Sequence, residues 1–176
     1  MTSARKALGT LFAFLLLMVP LVSAQKVKSD YDHNYNMARL KRFAFAPLSA
    51  EDPLSSRPDV AQKIKSDLKT QLEKAGFAED DQNPNFLVES SASKHTYSDS
   101  YSTTTNAWTA GSEVWNTKYT VGTLIVDFLD PQTKQPFWRG TATQTVYAGN
   151  LQKYVPKGVQ KMVQAFQDDV KKQANS

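Results

Sequence analysis

The chain carries two histidines, His33 and His95, and no cysteine, so few side chains could act as a base or nucleophile near neutral pH. Serines and aspartates are numerous enough to complete a triad with either imidazole, but no G-x-S-x-G elbow occurs and no spacing brings such groups together. His95 stands in a serine-rich run and reads as an exposed residue. Asp30, Asp32 and His33 lie close enough to suggest a metal, yet on an extended strand Asp30 and Asp32 share a face from which His33 points away. Asp81, Asn83 and Asn85 imitate the opening of a calcium loop, but Phe86 stands at the required glycine and Ala92 at the place of the chelating glutamate. That segment reads as an Asn/Pro turn. The seven glycines are scattered, without G-x-G-x-x-G or G-K-[ST], so no phosphate cradle is present. The expectation is a non-enzymatic chain with no cofactor and no metal.

Aromatic side chains offer a different chemistry. Tyr97, Tyr101, Trp108, Trp115 and Tyr119 crowd into and just beyond a Ser/Thr-rich stretch at about 97–115, and surface aromatics can stack on sugars or anchor a partner. The same residues admit a structural reading, with Trp115 and Tyr119 in a strand and Trp108 tucked onto the domain. The polar stretch itself is expected to be a long hairpin loop or frayed strand ends.

Strands and helices must hold these residues. Residues 26–32 and 43–46 read as short strands separated by the polar turn His33-Asn34-Tyr35-Asn36. A helix is expected from Pro58 to Ala75, because Pro58 suits a first turn, Ser56 and Asp59 have capping-box spacing, and Gly76 stands where a terminal cap is wanted. Val60, Ile64, Leu68, Leu72 and Ala75 form its apolar stripe, and the mixed charges between Lys63 and Lys74 read as its solvated face. Residues 86–93 form another strand. The strongest strand signal runs from Tyr119 to Leu129, with Gly122, Leu124, Val126 and Phe128 facing the core. After a polar reversal at 130–136, Phe137 to Tyr147 returns antiparallel, with Trp138, Ala142 and Val146 inward. Asp127 and Arg139 then pair across the outer face. A second amphipathic helix spans about 155–172, with Val159, Met162, Val163 and Phe166 on its stripe.

The order β-β-α-β-β-β-α gives an α+β fold, a mainly antiparallel sheet of about five strands with both helices packed on one face. The other face stays open. Val121, Ile125, Phe137, Arg139 and Tyr147 on that side, with Trp108, Trp115 and Tyr119, make up the candidate contact surface.

The amino terminus adds an address. Arg5 and Lys6 precede an apolar run from Ala7 to Val22, and Val22-Ser23-Ala24 supplies small residues for cleavage, which is the pattern of a secretory signal peptide over residues 1–24. The uninterrupted apolar stretch, Leu11 to Val19, is shorter than the roughly 20 residues of a membrane span. Cleavage near Ala24 would leave 25–176 as a single domain of about 150 residues without a transmembrane span. It would remove two of the 21 Lys and Arg, so the formal charge falls from +4 to about +2, and no nucleic-acid footprint survives. The missing cysteine rules out disulfide staples and a lipid on a cysteine at the mature terminus. The expected location is the periplasm, or the medium if secretion is complete.

Taken together, Val27-Lys28-Ser29-Asp30-Tyr31-Asp32, Phe43-Ala44-Phe45, Asn85-Phe86-Leu87-Val88, Gly122-Thr123-Leu124-Ile125-Val126-Asp127 and Phe137-Trp138-Arg139-Gly140 make the chain resemble the bacterial family DUF4136, a domain of unknown function found mostly in small envelope proteins, many of them lipoproteins. The resemblance covers nearly all of the chain after residue 24. Its most specific part is the hairpin that leads to Trp-Arg-Gly-Thr-Ala at 138–142, where Gly140 is expected to let the strand bend or another backbone approach. The chain departs from the lipoprotein members in having no cysteine to lipidate. The resemblance implies no activity and no catalytic residues. The expected function is an exported, noncatalytic binding or interaction module of the cell envelope whose partner is an unidentified envelope protein or ligand. The alternatives are a carrier of a small apolar ligand held between helices and sheet and an exported hydrolase built on His33 or His95.

Overall fold

The computed structural model describes residues 25–104, 112–146 and 154–175. Its strands are β1 (Lys26–Tyr31), β2 (Arg42–Phe45), β3 (Ala78–Glu79), β4 (Phe86–Thr104), β5 (Ser112–Leu129) and β6 (Pro136–Val146), and its helices are α1 (Pro58–Lys74) and α2 (Val155–Ala174). Short 3-10 helices stand at Met37–Arg39 and Pro53–Ser56. The six strands form one sheet in the order β1-β6-β5-β4-β2-β3.

Neighbours from β1 to β4 are antiparallel, whereas β2 runs parallel to both β3 and β4. The fold is therefore α+β as expected, and three of the five pairings among the described strands are antiparallel, but the sheet is mixed and has six described strands where about five were expected. The reason lies in α1. A helix between two strands carries the chain back along the sheet, so the strand that follows it pairs parallel. The additional strand, β3, has only two residues, too few to leave a hydrophobic pattern.

Both helices cover the same face. Ile64, Leu68 and Leu72 of α1, and Val159, Met162, Val163 and Phe166 of α2, are buried together with Phe86, Val88, Val126, Phe128, Trp138 and Ala142 from the sheet. Phe166 sits at the centre, its ring 4.6 Å from that of Phe128 and 5.4 Å from that of Trp138. Burying each such side chain contributes roughly 1.5–3 kcal/mol, so this face holds the fold together.

The ends of α1 divide the capping expectations. At its C-terminus Gly76 adopts φ 93°, and the N–H groups of Phe77 and Gly76 donate to the carbonyls of Leu72 and Glu73, both at 3.0 Å, which is the Schellman pattern. At its N-terminus Pro58 occupies the first turn, but the cap is Arg57 and makes no side-chain capping bond. Ser56 instead donates to the Pro53 carbonyl at 2.8 Å, because the preceding 3-10 turn claims its hydroxyl.

Two further expectations are corrected. The stretch at about 97–115 is not a loop over its described residues, since β4 continues to Thr104 and β5 begins at Ser112, in unbroken register from Thr104↔Ser112 to Leu87↔Leu129. Thr, Tyr, Trp and Val favour strands, and the Ser and charged residues between them hide that preference. Phe137 is not on the open face. Phe128 pairs with Trp138 while Leu129 pairs with Pro136, so Phe137 is the extra residue of a bulge, which turns its ring to the same side as the next residue's. It is 3% exposed and stacks on Tyr35 with ring centroids 4.0 Å apart.

Candidate functional site

Strand parity builds the helix-free face. Residues Phe86, Val88, Leu124, Val126, Phe128, Trp138 and Ala142 point to the core, so their odd-numbered neighbours on β4, β5 and β6, and the even-numbered residues of β1, face away from the helices. The register then sets them in rows across four strands. Asp30, Arg139, Asp127 and Glu89 form one row. Lys28, Thr141, Ile125 and Ser91 form the next, followed by Lys26, Thr143, Thr123 and Ser93. Thr145, Val121 and His95 come after, and then positions 119 and 97.

The first row is held by a fork. The Arg139 guanidinium donates to both Asp127 oxygens, at 2.6 and 2.7 Å. These hydrogen bonds, and then the charge of Asp127, raise the guanidinium's pKa above its ordinary value. The Asp127 side chain is 11% exposed and that of Arg139 55%, so the pair is anchored on one side and open to solvent on the other. With Asp30 and Glu89 flanking, the row sets one cation among three carboxylates. The rows beyond it change to hydroxyls and half-buried Val121 and Ile125. Such a face can hydrogen-bond, form ion pairs and bury apolar area, but it places no base beside a nucleophile.

The histidines lie apart from one another. His33 is in the turn after β1, its ring 4.5 Å from that of Tyr31, and His95 is an exposed residue of β4, 6.5 Å from the Tyr97 ring. Asp32 accepts from the Asn34 N–H at 2.8 Å, a turn contact. Among the described residues no three His, Cys, Asp or Glu converge as for a metal. The Asp81–Asn85 segment is a turn held by Asp80, which accepts from the Gln82 and Asn83 N–H groups at 3.0 Å. Those bonds, that from Asn83 first, lower its pKa. Asn85 accepts from the Lys41 and Arg42 N–H groups at 3.1 and 3.0 Å, which ties the turn to β2.

A cavity of about 70 Å³ lies between helices and sheet, lined mainly by Val60, Ile64, Leu124, Ala142, Gln144 and Val155. It is far below the roughly 300 Å³ of the smallest ordinary ligand pockets. A larger groove of about 440 Å³ opens at the margin of that interface, between the start of α1, Pro47, Leu48 and Val88 to Ser90 of β4. No described helix is long and apolar enough to cross a membrane.

Of the candidate residues, Val121, Ile125 and Arg139 lie on the helix-free face, and positions 115 and 119 share its parity by register. Phe137 belongs to the core. Trp108, Tyr147 and residues 1–24 lie outside the described residues. Asp30, Glu89 and Lys28 join this face through pairings between distant strands, so alternation within one strand could not have found them.

The model of the domain of unknown function DUF4136 matches residues 27–166. The chain belongs to the DUF4136 family. No curated protein matches it in sequence. Among solved structures, a PDZ domain protein from Parabacteroides distasonis aligns with a TM-score of 0.57 at 14% identity, over 79% of this chain and 35% of that one. This DUF4136 chain thus spans about a third of that protein's length, and the likeness is one of fold. A DUF4136 family protein from Bacteroides thetaiotaomicron aligns at 11% identity and a TM-score of 0.42, over 82% of this chain and 95% of that one. The PelC dodecamer from Paraburkholderia phytofirmans aligns at 13% identity and 0.47, over 80% and 95%.

Proposed function

We propose that this DUF4136 chain is an exported, noncatalytic interaction module of the bacterial cell envelope that holds a protein partner on the helix-free face of its sheet. The observation that carries the reading is the face itself. Four hydrogen-bonded strands present a charged row beside hydroxyls and half-buried Val121 and Ile125, and no described helix or strand lies over them. Interaction surfaces combine apolar centres with polar rims in this way. Export is supported by the charged, apolar and small-residue segments of residues 1–24.

The cavity under the helices is too small for the carrier alternative, which is left the groove of about 440 Å³ beside Pro47, and the hydrolase alternative loses support from the separate surroundings of His33 and His95. Two measurements test the proposal. Fractionation with N-terminal sequencing should recover the chain outside the cytoplasm beginning at Gln25; a cytoplasmic chain that retains residues 1–24 overturns export. Pull-down from envelope extracts should yield a partner with the mature chain that is lost with Ile125→Arg at unchanged circular dichroism. An unchanged partner set with Ile125→Arg and with Arg139→Glu overturns the face as the contact. Deleting 98–112 separates this reading from one in which the distal hairpin makes the contact.

A further inference from the structure

The sheet also has an unfinished edge. β2 covers β4 only from Phe86 to Val88, and the Ala46 N–H makes the last bond, to the Val88 carbonyl at 2.9 Å. Backbone groups of alternate strand residues point to opposite sides, so Val88 fixes the direction for the whole strand. Even-numbered residues of β4 direct N–H and C=O outward, and odd-numbered ones bond to β5. From Ser90 to Thr104 no described strand takes the outward groups. Pro47, Leu48 and the 3-10 turn at Pro53–Ser56 lie beside its start at Ser90, and beyond them the described residues give this edge little of the usual protection. Its register with β5 runs without a bulge, no proline interrupts it, and Lys94 is its one lysine. A long unprotected edge is a template for another strand.

We infer that the occupant is a second copy of this chain, its β4 lying antiparallel to the first about a twofold axis at Tyr97. Three observations set this register. The unpaired stretch begins where β2 ends and finishes where β4 ends, and its midpoint is Tyr97, so the pairing that uses the entire edge without displacing β2 is centred there. A twofold that keeps the two sheets continuous sets each residue opposite one of the same parity, which a centre on Tyr97 satisfies for every outward-pointing pair from Ser90 opposite Thr104. Charge agrees as well. Lys94 stands opposite position 100, a serine, rather than its own copy, so the lysines of the two strands do not face each other. Self-pairing also supports the distal hairpin. Among the described residues β6 pairs with β5 as far as Thr120, and beyond it β4 and β5 form a two-stranded ribbon, which is marginal in water unless further strands join it. The dimer leaves the helix-free face uncovered and makes it one continuous surface of twice the width.

The mature chain, residues 25–176, should change from a one-chain to a two-chain mass with rising concentration in light scattering. Its lack of cysteine makes cross-linking specific. Tyr97→Cys should form a disulfide dimer on mild oxidation, since a non-hydrogen-bonded antiparallel pair brings Cβ atoms within reach of a disulfide. Ser93→Cys and Tyr101→Cys should each form no disulfide dimer alone and cross-link when mixed. Ser98→Pro removes only an outward N–H, so it should weaken the dimer at least about tenfold while leaving thermal unfolding of the monomer unchanged. A one-chain mass at all concentrations, cross-linking equal at 93, 97 and 101, or a dimer indifferent to Ser98→Pro overturns the inference. Ile125→Arg should leave the dimer intact, so loss of the face's partner and loss of the dimer are read separately.

Discussion

Trp138 shows how tightly individual residues are held. It is 1% exposed, its ring stacks 4.8 Å from Phe128, and its indole N–H donates at 3.0 Å to Asp169, a carboxylate otherwise buried on α2. Asp169→Ala leaves that N–H without a partner and should cost about 1–3 kcal/mol in urea unfolding. Gly140 completes the arrangement. A Cβ there would lie 2.5 Å from the Trp138 ring and 3.1 Å from the Met162 sulfur, so the close approach that the sequence assigned to a backbone is made by a side chain. With the ring pinned on its other side, Gly140→Ala should destabilise by about 1–3 kcal/mol; an unchanged urea midpoint would mean the ring can move. Tyr35 supplies a pH-dependent test. Burial first, and then its hydrogen bond to Asp130, pushes its pKa up from 10.0 to about 12. The stabilisation is fully present below the unfolded value. Between these values the unfolded phenol ionises and the folded one does not, so stability falls as pH rises. Tyr35→Phe keeps the stack on Phe137 and should flatten the fall in urea midpoint across that window; an identical slope would remove Tyr35 as its source.

Among the elements, those with one dry and one wet face could be read from sequence. α1, α2 and the hairpin around Asp130 each alternate apolar and polar residues at their own period, and Gly76 marked the end of α1. Gly76→Ala tests that mark in isolation. No atom lies within 4 Å of the added Cβ, so the cost is the left-handed backbone alone, about 1 kcal/mol, measurable as a lowered urea midpoint. The distal parts of β4 and β5 escaped because their sequences mix Ser, Thr and charged residues with single aromatics, so no apolar period separates them from a loop. Phe137 escaped because a bulge shifts parity by one, and nothing local to Phe137-Trp138 announces it. The charged row was half legible. Asp127 and Arg139 follow from the hairpin, whereas Asp30 and Glu89 arrive from strands whose neighbours are set by topology.

For the whole molecule, the core and the distal hairpin should be separable. The buried cluster takes no described residue of β4 beyond Ala92 and none of β5 before Leu124, and the described residues of β6 pair with β5 from Thr120 onward. Removing residues 98–118 and joining Tyr97 to Tyr119 through Asn-Gly retains the Tyr97↔Tyr119 pairing and closes it with a turn whose twist matches the strands. The variant should fold with the same helical circular dichroism and a free energy of unfolding within about 1 kcal/mol of the parent. It should also stay monomeric at concentrations where the parent dimerises, because half of the β4 edge is gone. A variant that fails to fold would show that the ribbon carries stability which the buried cluster does not reveal. One that folds and still dimerises would move the association away from β4, leaving the helix-free face or the groove beside Pro47 as the surface to examine next.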